Sequence, residues 1–129
     1  MRFIAAFFAV VIVACSSSTD QADIIGKWGS QQASLVLQRS GGTVSYQCGA
    51  GTVDSAWTLS ASGQWTATGQ HYYGGGPVPV GGRQPHPARY AGQLDGAQLE
   101  FTVTVTDLAQ VLGPFYLTRN GPTVSEVCL

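Results

Sequence analysis

Apolar and polar residues alternate along most of the chain after residue 24, as they do in antiparallel β-strands that bury one face. The clearest alternating run covers residues 97–106. Asp95-Gly96 just before it is a hairpin-turn signal, which joins this run to residues 89–94. Shorter alternating runs cover residues 34–39, 43–48, 56–59, 64–70 and 111–119. The pattern predicts about seven or eight short strands and no helix beyond a single turn before Trp28.

About seven or eight strands in a domain of this size predict a β-sandwich or an up-and-down barrel. Gly26-Lys27-Trp28 opens the domain and resembles the Gly-x-Trp motif of lipocalins and other calycins. The resemblance implies that Trp28 lies at the barrel floor, beneath an arginine from the last strand. Arg119 suits that role, because it shares a strand face with Phe115 and Leu117. We therefore expect a single antiparallel, up-and-down, calycin-like β-barrel with a floor pair of Trp28 and Arg119.

The inward-facing positions decide whether such a barrel holds a ligand, because an eight-stranded interior is only just wide enough for side chains. The predicted interior residues are Leu35, Leu37, Val44, Tyr46, Trp57, Leu59, Trp65, Leu94, Leu99, Phe101, Val103, Val105, Phe115 and Leu117. Small residues at Ala67, Gly69 and Gly92 leave room for a pocket at one barrel end, with Tyr72 and Tyr73 as its lid. A filled barrel favours protein binding, whereas a pocket favours a small apolar ligand.

Residues 71–87 form the one irregular stretch of the domain, with five glycines and four prolines. This composition excludes a helix or a central strand and predicts a long Gly/Pro loop. Loops of this length are usually functional or disordered, so the segment is either a contact loop or a connector with its tyrosines on the barrel edge. The candidate binding residues are His71, Tyr72, Tyr73, Arg83, His86, Arg89 and Tyr90. Tyrosine and arginine are residue types that dominate binding hot spots.

Residues 1–15 contain one basic residue, an apolar run and then Cys15. The run is shorter than the roughly 17–25 residues that span a membrane, so residues 1–14 are interpreted as a signal peptide. Ile12-Val13-Ala14-Cys15 resembles the lipobox of bacterial lipoproteins, which implies acylation of Cys15, by palmitate among other chains, and cleavage before it. Residues 15–23 then form the lipidated cysteine and a flexible tether, and residues 24–129 the barrel domain. Ser16 after the lipidated cysteine resembles lipoproteins of an outer membrane that face the periplasm.

Three cysteines in an exported protein leave Cys48 and Cys128 once Cys15 carries lipid. An oxidising compartment favours a disulfide between them. It would close a loop of about 80 residues and stabilise the fold by about 4–5 kcal/mol in the chain-entropy interpretation. The alternation of residues 43–48 also predicts that Val44, Tyr46 and Cys48 share one strand face.

Charge and motifs exclude several classes of function. Six basic and seven acidic residues give a net charge of −1 without a charge run, so a nucleic-acid footprint is absent and membrane contact is left to the acyl chains. His71 and His86 have no third ligand nearby in sequence for a metal, and no motif binds a cofactor. Neither a Gly-x-Ser-x-Gly elbow nor a His-Glu-x-x-His motif is present, so we expect no enzyme.

Several short motifs resemble an uncharacterised family of short bacterial lipoproteins, which contributes no function: Trp28-Gly29, Tyr46-Gln47-Cys48, Pro87-Ala88-Arg89-Tyr90, Phe115-Tyr116-Leu117-Thr118 and Cys128-Leu129. Tyr46-x-Cys48 with a late Cys128 also resembles the membrane-bound lysozyme inhibitors. We expect a lipid-anchored, non-catalytic barrel of the bacterial cell envelope that binds a small apolar ligand. The alternatives are a protein-binding module, such as a lysozyme or hydrolase inhibitor, and a structural envelope lipoprotein.

Overall fold

A computed structural model of the protein describes residues 20–74 and 80–123. The predicted signal peptide, the acylation site Cys15 and the disulfide partner Cys128 lie outside the described residues, so those expectations stay predictions. The elements are a 3₁₀ turn Gln21–Asp23 and the strands β1 Gly26–Gly29, β2 Ala33–Gln38, β3 Gly41–Tyr46, β4 Gly49–Val53, β5 Thr58–Leu59, β6 Gln64–Tyr73, β7 His86–Asp95, β8 Gln98–Val105 and β9 Gln110–Arg119.

The strands form one closed sheet in which every pairing is antiparallel. Strands β1 to β4 form one meander and β6 to β9 a second. The two meanders join where β4 pairs with β6 and where β1 pairs with β9, while the short β5 pairs only with β6. The protein is therefore all-β, a closed eight-stranded up-and-down barrel consistent with a single calycin-like barrel, as the alternation predicted. Across residues 20–74 and 80–123, no helix has the length and apolar character needed to cross a membrane.

Burial alternates along the strands, so one side chain in two enters the barrel. The predicted interior is confirmed, with every one of its residues buried except Phe115, which is half-buried. The structure also buries Ile24, Ala33, Val53, Ala88, Tyr90 and His71. Trp65, Tyr90 and Phe101 lie ring against ring in the middle of the barrel, with centroids 5.8–6.4 Å apart. The central interior is therefore occupied by aromatic side chains.

The predicted floor pair is present as a direct contact. The guanidinium carbon of Arg119 lies 4.4 Å from the ring centroid of Trp28, and the two residues are register partners on β1 and β9. The indole nitrogen of Trp28 donates to the carbonyl of Ile24 at 2.8 Å. The guanidinium of Arg119 donates to the carbonyls of Ile25 and Asp23. Arg119 thus ties the 3₁₀ turn and the chain entering β1 to the end of the last strand.

The small residues Gly69 and Gly92 leave no pocket, contrary to the expectation. A Cβ on Gly69 would lie 1.8 Å from the carbonyl oxygen of Thr52, and one on Gly92 would lie 2.2 Å from that of Glu100. The missing side chains instead let the backbones of adjacent strands approach closely. The ring of Tyr90 also lies near Gly69, so no free volume remains beside it.

The long irregular segment is shorter than predicted, because strands extend into both of its ends. β6 continues to Tyr73 and β7 begins at His86, with His71 and His86 as register partners. The extension of β6 is held on its other edge by β4, where Gly51 pairs with His71. The expectation that residues 71–87 exclude a strand was therefore wrong at its two ends.

The placement of Cys48 also differs from the prediction. β3 ends at Tyr46, and Cys48 lies exposed in the turn between β3 and β4. Cys48 therefore does not share a strand face with Val44 and Tyr46, because the chain has already left the sheet there.

Candidate functional site

One end of the barrel is open and carries a pocket with a volume of about 520 Å³, here called the mouth pocket. β3 and β6 end at this mouth and β7 and β9 begin there, since Ala33 pairs with Tyr46 and His71 pairs with His86. The residues that line the mouth pocket are Gln32, Tyr46, Gln47, Cys48, His71, Tyr73, Leu112, Gly113, Pro114 and Phe115. The mouth lies at the opposite end of the barrel from Trp28 and Arg119.

The walls of the mouth pocket are mainly aromatic. Tyr46 contacts Phe115 on one side and His71 on the other, with ring centroids 5.3 and 5.4 Å apart. Tyr73 meets His71 edge to face at 4.5 Å. Phe115 also contacts Phe101, 5.5 Å away, which connects the mouth to the aromatic residues of the central interior. These centroid separations fall in the 4.5–7 Å range that aromatic pairs prefer.

His71 is the polar residue buried in this aromatic wall, with only 2% of its surface exposed. Alternation along β6 turns its side chain inward, on the strand face that also carries Gly69. Burial lowers the pKa of His71, and the nearby His86 lowers it further. The ring is therefore neutral near pH 7 and offers one N–H donor and one nitrogen acceptor. Within the described part of the chain, neither ring nitrogen has a hydrogen-bond partner.

Tyr46 provides a second buried polar group in the same wall. Its hydroxyl lies beside the hydroxyl of Tyr90, close to the space that a Cβ on Gly51 would occupy. Burial raises the pKa of Tyr46, and the neighbouring Tyr90 raises it further, so the phenol stays protonated. The hydroxyl of Tyr90, in contrast, donates to the carbonyl of Thr52 at 3.1 Å, and burial raises the pKa of Tyr90 to about 12. Tyr46 and His71 are therefore both neutral polar groups in the wall of the mouth pocket.

A set of polar contacts at the rim holds the β6–β7 connection against the β8–β9 turn. Nδ1 of His86 lies 2.8 Å from a carboxylate oxygen of Asp107. The hydroxyl of Tyr73 donates to the side-chain oxygen of Gln110. A guanidinium nitrogen of Arg83 donates to the carbonyl of Tyr73 at 3.0 Å. The rim charges are thus engaged with one another or with backbone, and the entrance is braced from both sides.

The seven candidate binding residues do not form one loop surface. His71 and Tyr90 point into the barrel, and Tyr90 fills the central interior below the pocket. Tyr73, Arg83 and His86 lie at the rim. The other two candidates have no place in the mouth pocket: Tyr72 is half-buried opposite Ala50, and Arg89 is exposed on the outer face of β7.

The sequence identified several residues of the mouth pocket but did not show that they lie together at one end of the barrel. Tyr46 and Phe115 were correctly placed in the interior, but nothing local in the sequence brings β3 and β9 to the same end as His71. Asp107 and Gln110 were missed as partners of the rim. A turn after the clearest strand was their only signal, because Asp107 lies in the β8–β9 turn and Gln110 is the first residue of β9.

The described residues contain no group of three His, Cys, Asp or Glu side chains that could hold a metal ion. Comparison with known proteins finds no family model, no curated protein and no solved structure that matches the chain. The fold and the site define the class of the molecule, which is a closed, eight-stranded, calycin-like barrel with an aromatic pocket at its mouth. Function is therefore inferred from the geometry of that pocket.

Proposed function

We propose that this protein is a non-catalytic barrel that binds a small, mainly apolar ligand in its mouth pocket. The proposal rests on the aromatic walls of this pocket and on His71 within them, a side chain 2% exposed whose ring nitrogens have no hydrogen-bond partner among the described residues. Leaving a buried polar group unsatisfied costs about 1–3 kcal/mol, and native structures contain few such groups. A bound ligand would supply the missing partners.

The size and lining of the mouth pocket support a small-molecule ligand. Ligand sites are commonly about 300–1,000 Å³ and combine apolar walls with a few placed polar groups. At about 520 Å³, with Phe115, Leu112 and Pro114 beside His71 and Tyr46, the mouth pocket fits that description. The braced rim keeps the entrance in place before a ligand arrives, which lowers the entropy cost of binding.

The position of the N-terminal segment at the barrel floor, away from the mouth pocket, fits a lipid-anchored protein of the bacterial envelope. The described chain begins at the floor, where Arg119 holds the carbonyl of Asp23. An acylated Cys15 would connect to this floor through a polar tether with a span of roughly 15 Å. The mouth pocket would then face away from the membrane and receive ligands from the aqueous compartment.

Native mass spectrometry of the lipoprotein, gently extracted from the membrane of the organism that produces it, tests this proposal. We expect a bound small molecule in addition to the acyl chains on Cys15. The molecule should be lost from a protein in which Phe115 is replaced by Ala, and retained when the exposed Tyr116 on the outer face of the same strand is replaced by Ala. A wild-type protein that carries no small molecule would overturn the proposal.

The protein-binding alternative has its own supporting observation. Val80 is fully exposed beyond the mouth, and Leu108 is 46% exposed in the β8–β9 turn. These two exposed apolar side chains are the residues that a partner protein at this end of the barrel would cover. Recovery of a second polypeptide, lost when Val80 and Leu108 are both replaced by Ser, would favour an inhibitor or another protein-binding role.

A further inference from the structure

The outer surface of the barrel carries a depression of about 350 Å³ beside the β7–β8 hairpin, here called the hairpin face. It lies across strands β7, β8 and β9, whose exposed residues alternate with those that enter the interior. The exposed residues that line it are Gln93, Asp95, Gln98, Glu100, Tyr116 and Thr118. None of the described residues of the mouth pocket belongs to this lining, so the hairpin face is a separate surface.

Strand pairing arranges the side chains of the hairpin face in two rows. One row is Gln93, Glu100 and Tyr116, and the other is Asp95, Gln98 and Thr118. Directly paired residues have Cβ atoms about 4.5–5.5 Å apart, and diagonal neighbours about 7–8 Å apart. Glu100 is paired directly with Tyr116, and Asp95 is a diagonal neighbour of Glu100. Two carboxylates therefore lie close together beside one exposed aromatic ring.

The carboxylates of Asp95 and Glu100 have no cationic partner in the described part of the chain. Neither carboxylate forms an ion pair or a hydrogen bond there. Arg119 at the end of β9 bonds instead to the carbonyls of Ile25 and Asp23 at the barrel floor. The described lining of the hairpin face therefore contains two carboxylates and no cation.

Several hydrogen-bond donors of the hairpin face are already used within the protein. The amide nitrogen of Gln93 donates to the carbonyl of Ser62 at 2.8 Å and to that of Leu94 at 3.4 Å. The hydroxyl of Thr118 donates to the carbonyl of Gly29 at 3.4 Å. These two side chains keep acceptor oxygens, which add to the oxygens of the two carboxylates. The surface therefore offers more acceptors than donors to a binding partner.

A guanidinium group complements this surface in charge, hydrogen bonding and shape. It is cationic, has five N–H donors and no acceptor, and bonds to carboxylates through two parallel hydrogen bonds. Its flat face also stacks on aromatic rings, and Tyr116 is 62% exposed beside Glu100. A sugar hydroxyl, in contrast, both donates and accepts, so a saccharide would meet few donors at the hairpin face.

The exposure of the hairpin face favours a macromolecular partner over a free small molecule. An exposed ion pair contributes about 0–1 kcal/mol, so a single free guanidinium would be held only weakly. Arginine and tyrosine are enriched among the residues that dominate binding between proteins. We propose that the hairpin face docks a partner protein through an arginine, whose guanidinium lies over the ring of Tyr116 and between Asp95 and Glu100.

Nuclear magnetic resonance titration of the full-length lipoprotein in nonionic detergent tests the recognition of arginine. The probes are three blocked tripeptides, Gly-Arg-Gly, Gly-Lys-Gly and Gly-citrulline-Gly, and citrulline keeps the shape of arginine without its charge. We expect the arginine peptide to bind in the millimolar range. It should bind about threefold more tightly than the lysine peptide and about tenfold more tightly than the citrulline peptide. The shift changes should be largest in β8 and β9 around Glu100 and Tyr116.

Two variants and a matched control locate the contact. Glu100→Gln and Tyr116→Leu should each lower the affinity for the arginine peptide by about three- to tenfold. Tyr116→Leu should also reduce the preference for arginine over lysine, because it removes the ring on which a guanidinium stacks. Asp54→Asn removes the same charge from another exposed carboxylate, which accepts a hydrogen bond from Thr68, and should change the affinity little. All three positions are exposed, so the variants should fold.

Several results would overturn this proposal. Equal binding of the arginine and citrulline peptides, or no binding of either, would show that the hairpin face does not recognise a guanidinium. An equal effect of Asp54→Asn and Glu100→Gln would indicate attraction by the overall charge of the protein instead of a local contact. A parallel titration with maltotriose tests a saccharide, and binding of maltotriose that Tyr116→Leu abolishes would assign the hairpin face to carbohydrate. None of these results bears on the ligand proposed for the mouth pocket.

Discussion

His71 and Tyr46 lie side by side in the wall of the mouth pocket, with ring centroids 5.4 Å apart. Within residues 20–74 and 80–123, neither imidazole nitrogen of His71 has a hydrogen-bond partner, whereas the hydroxyl of Tyr46 lies beside that of Tyr90. A buried imidazole without a hydrogen-bond partner costs stability, so His71 weakens the ligand-free protein.

Replacing His71 with Phe should stabilise the ligand-free protein. The change removes two unpartnered buried nitrogens and keeps a ring against Tyr46 and Tyr73, so we expect the free energy of unfolding to rise by about 1–3 kcal/mol. Urea denaturation of the protein stripped of small molecules measures it, with Tyr116→Phe as a surface control expected to change little. A clear loss of stability would mean that the imidazole has partners in the folded protein.

The stability of the wild-type protein should fall as the pH drops below about 7. Histidine in the unfolded chain titrates near pH 6.5, whereas burial and His86 lower the pKa of His71 in the folded protein. Between these two pKa values the unfolded chain binds more protons, so the free energy of unfolding decreases with decreasing pH, by at most about 1.4 kcal/mol per pH unit.

The comparison of wild-type protein with His71→Phe isolates this effect. The titratable groups that face His71 are His86, Tyr46 and Tyr73, and they are present in both proteins. Calorimetric Tm values from pH 8 to pH 5 should fall more steeply in the wild type. Parallel curves would show that His71 does not cause the pH dependence.

Replacing Arg119 with Gln should loosen the barrel floor. The change removes a guanidinium 4.4 Å from the indole of Trp28 and its bonds to the carbonyls of Ile25 and Asp23. We expect a loss of about 1–2 kcal/mol in the free energy of unfolding, since the guanidinium is partly solvated. Lys27→Gln is the matched control, because Lys27 is exposed on β1, and an equal effect of both changes would contradict a specific floor contact.

Residue 51 has to be glycine because the hydroxyl of Tyr90 occupies the space that a Cβ would need. A Cβ at residue 51 would lie 2.5 Å from that hydroxyl oxygen, so Gly51→Ala should destabilise the protein by about 1–3 kcal/mol. In a Tyr90→Phe background the same change should cost markedly less, because the obstructing atom is gone. A double-mutant cycle by urea denaturation measures this coupling, and additive effects would show that the two residues do not obstruct each other.

Cys48 should form a disulfide with Cys128 in the exported protein. Non-reducing peptide mapping is expected to find these two residues in one linked peptide pair. Cys128→Ser should then lower the free energy of unfolding by about 4 kcal/mol and leave Cys48 reactive toward a thiol reagent. Mapping that finds Cys48 linked to Cys15 instead would contradict both this pairing and the acylation of Cys15.

The alternation of apolar and polar residues predicted the strands wherever a strand has one polar face. Residues 64–70, 97–106 and 111–119 were all assigned correctly for this reason, and the hairpin at Asp95-Gly96 lies where it was predicted. β4 was missed because Gly49 and Gly51 contribute no side chain to the pattern. This strand exists because β3 and β6 pair with its two edges, and no local signal describes such pairing.

What the sequence determined by itself is the β-class, the interior and the Trp28–Arg119 floor, because each follows from side-chain alternation or from a short motif. What only the tertiary structure decided is the site. Glycine and proline around residues 71–87 indicated a loop, yet pairing of His71 with Gly51 and His86 turns its ring into the barrel. The burial of His71, and its lack of a hydrogen-bond partner among the described residues, depend on strands that are distant in sequence. Both features therefore arise only when the barrel closes.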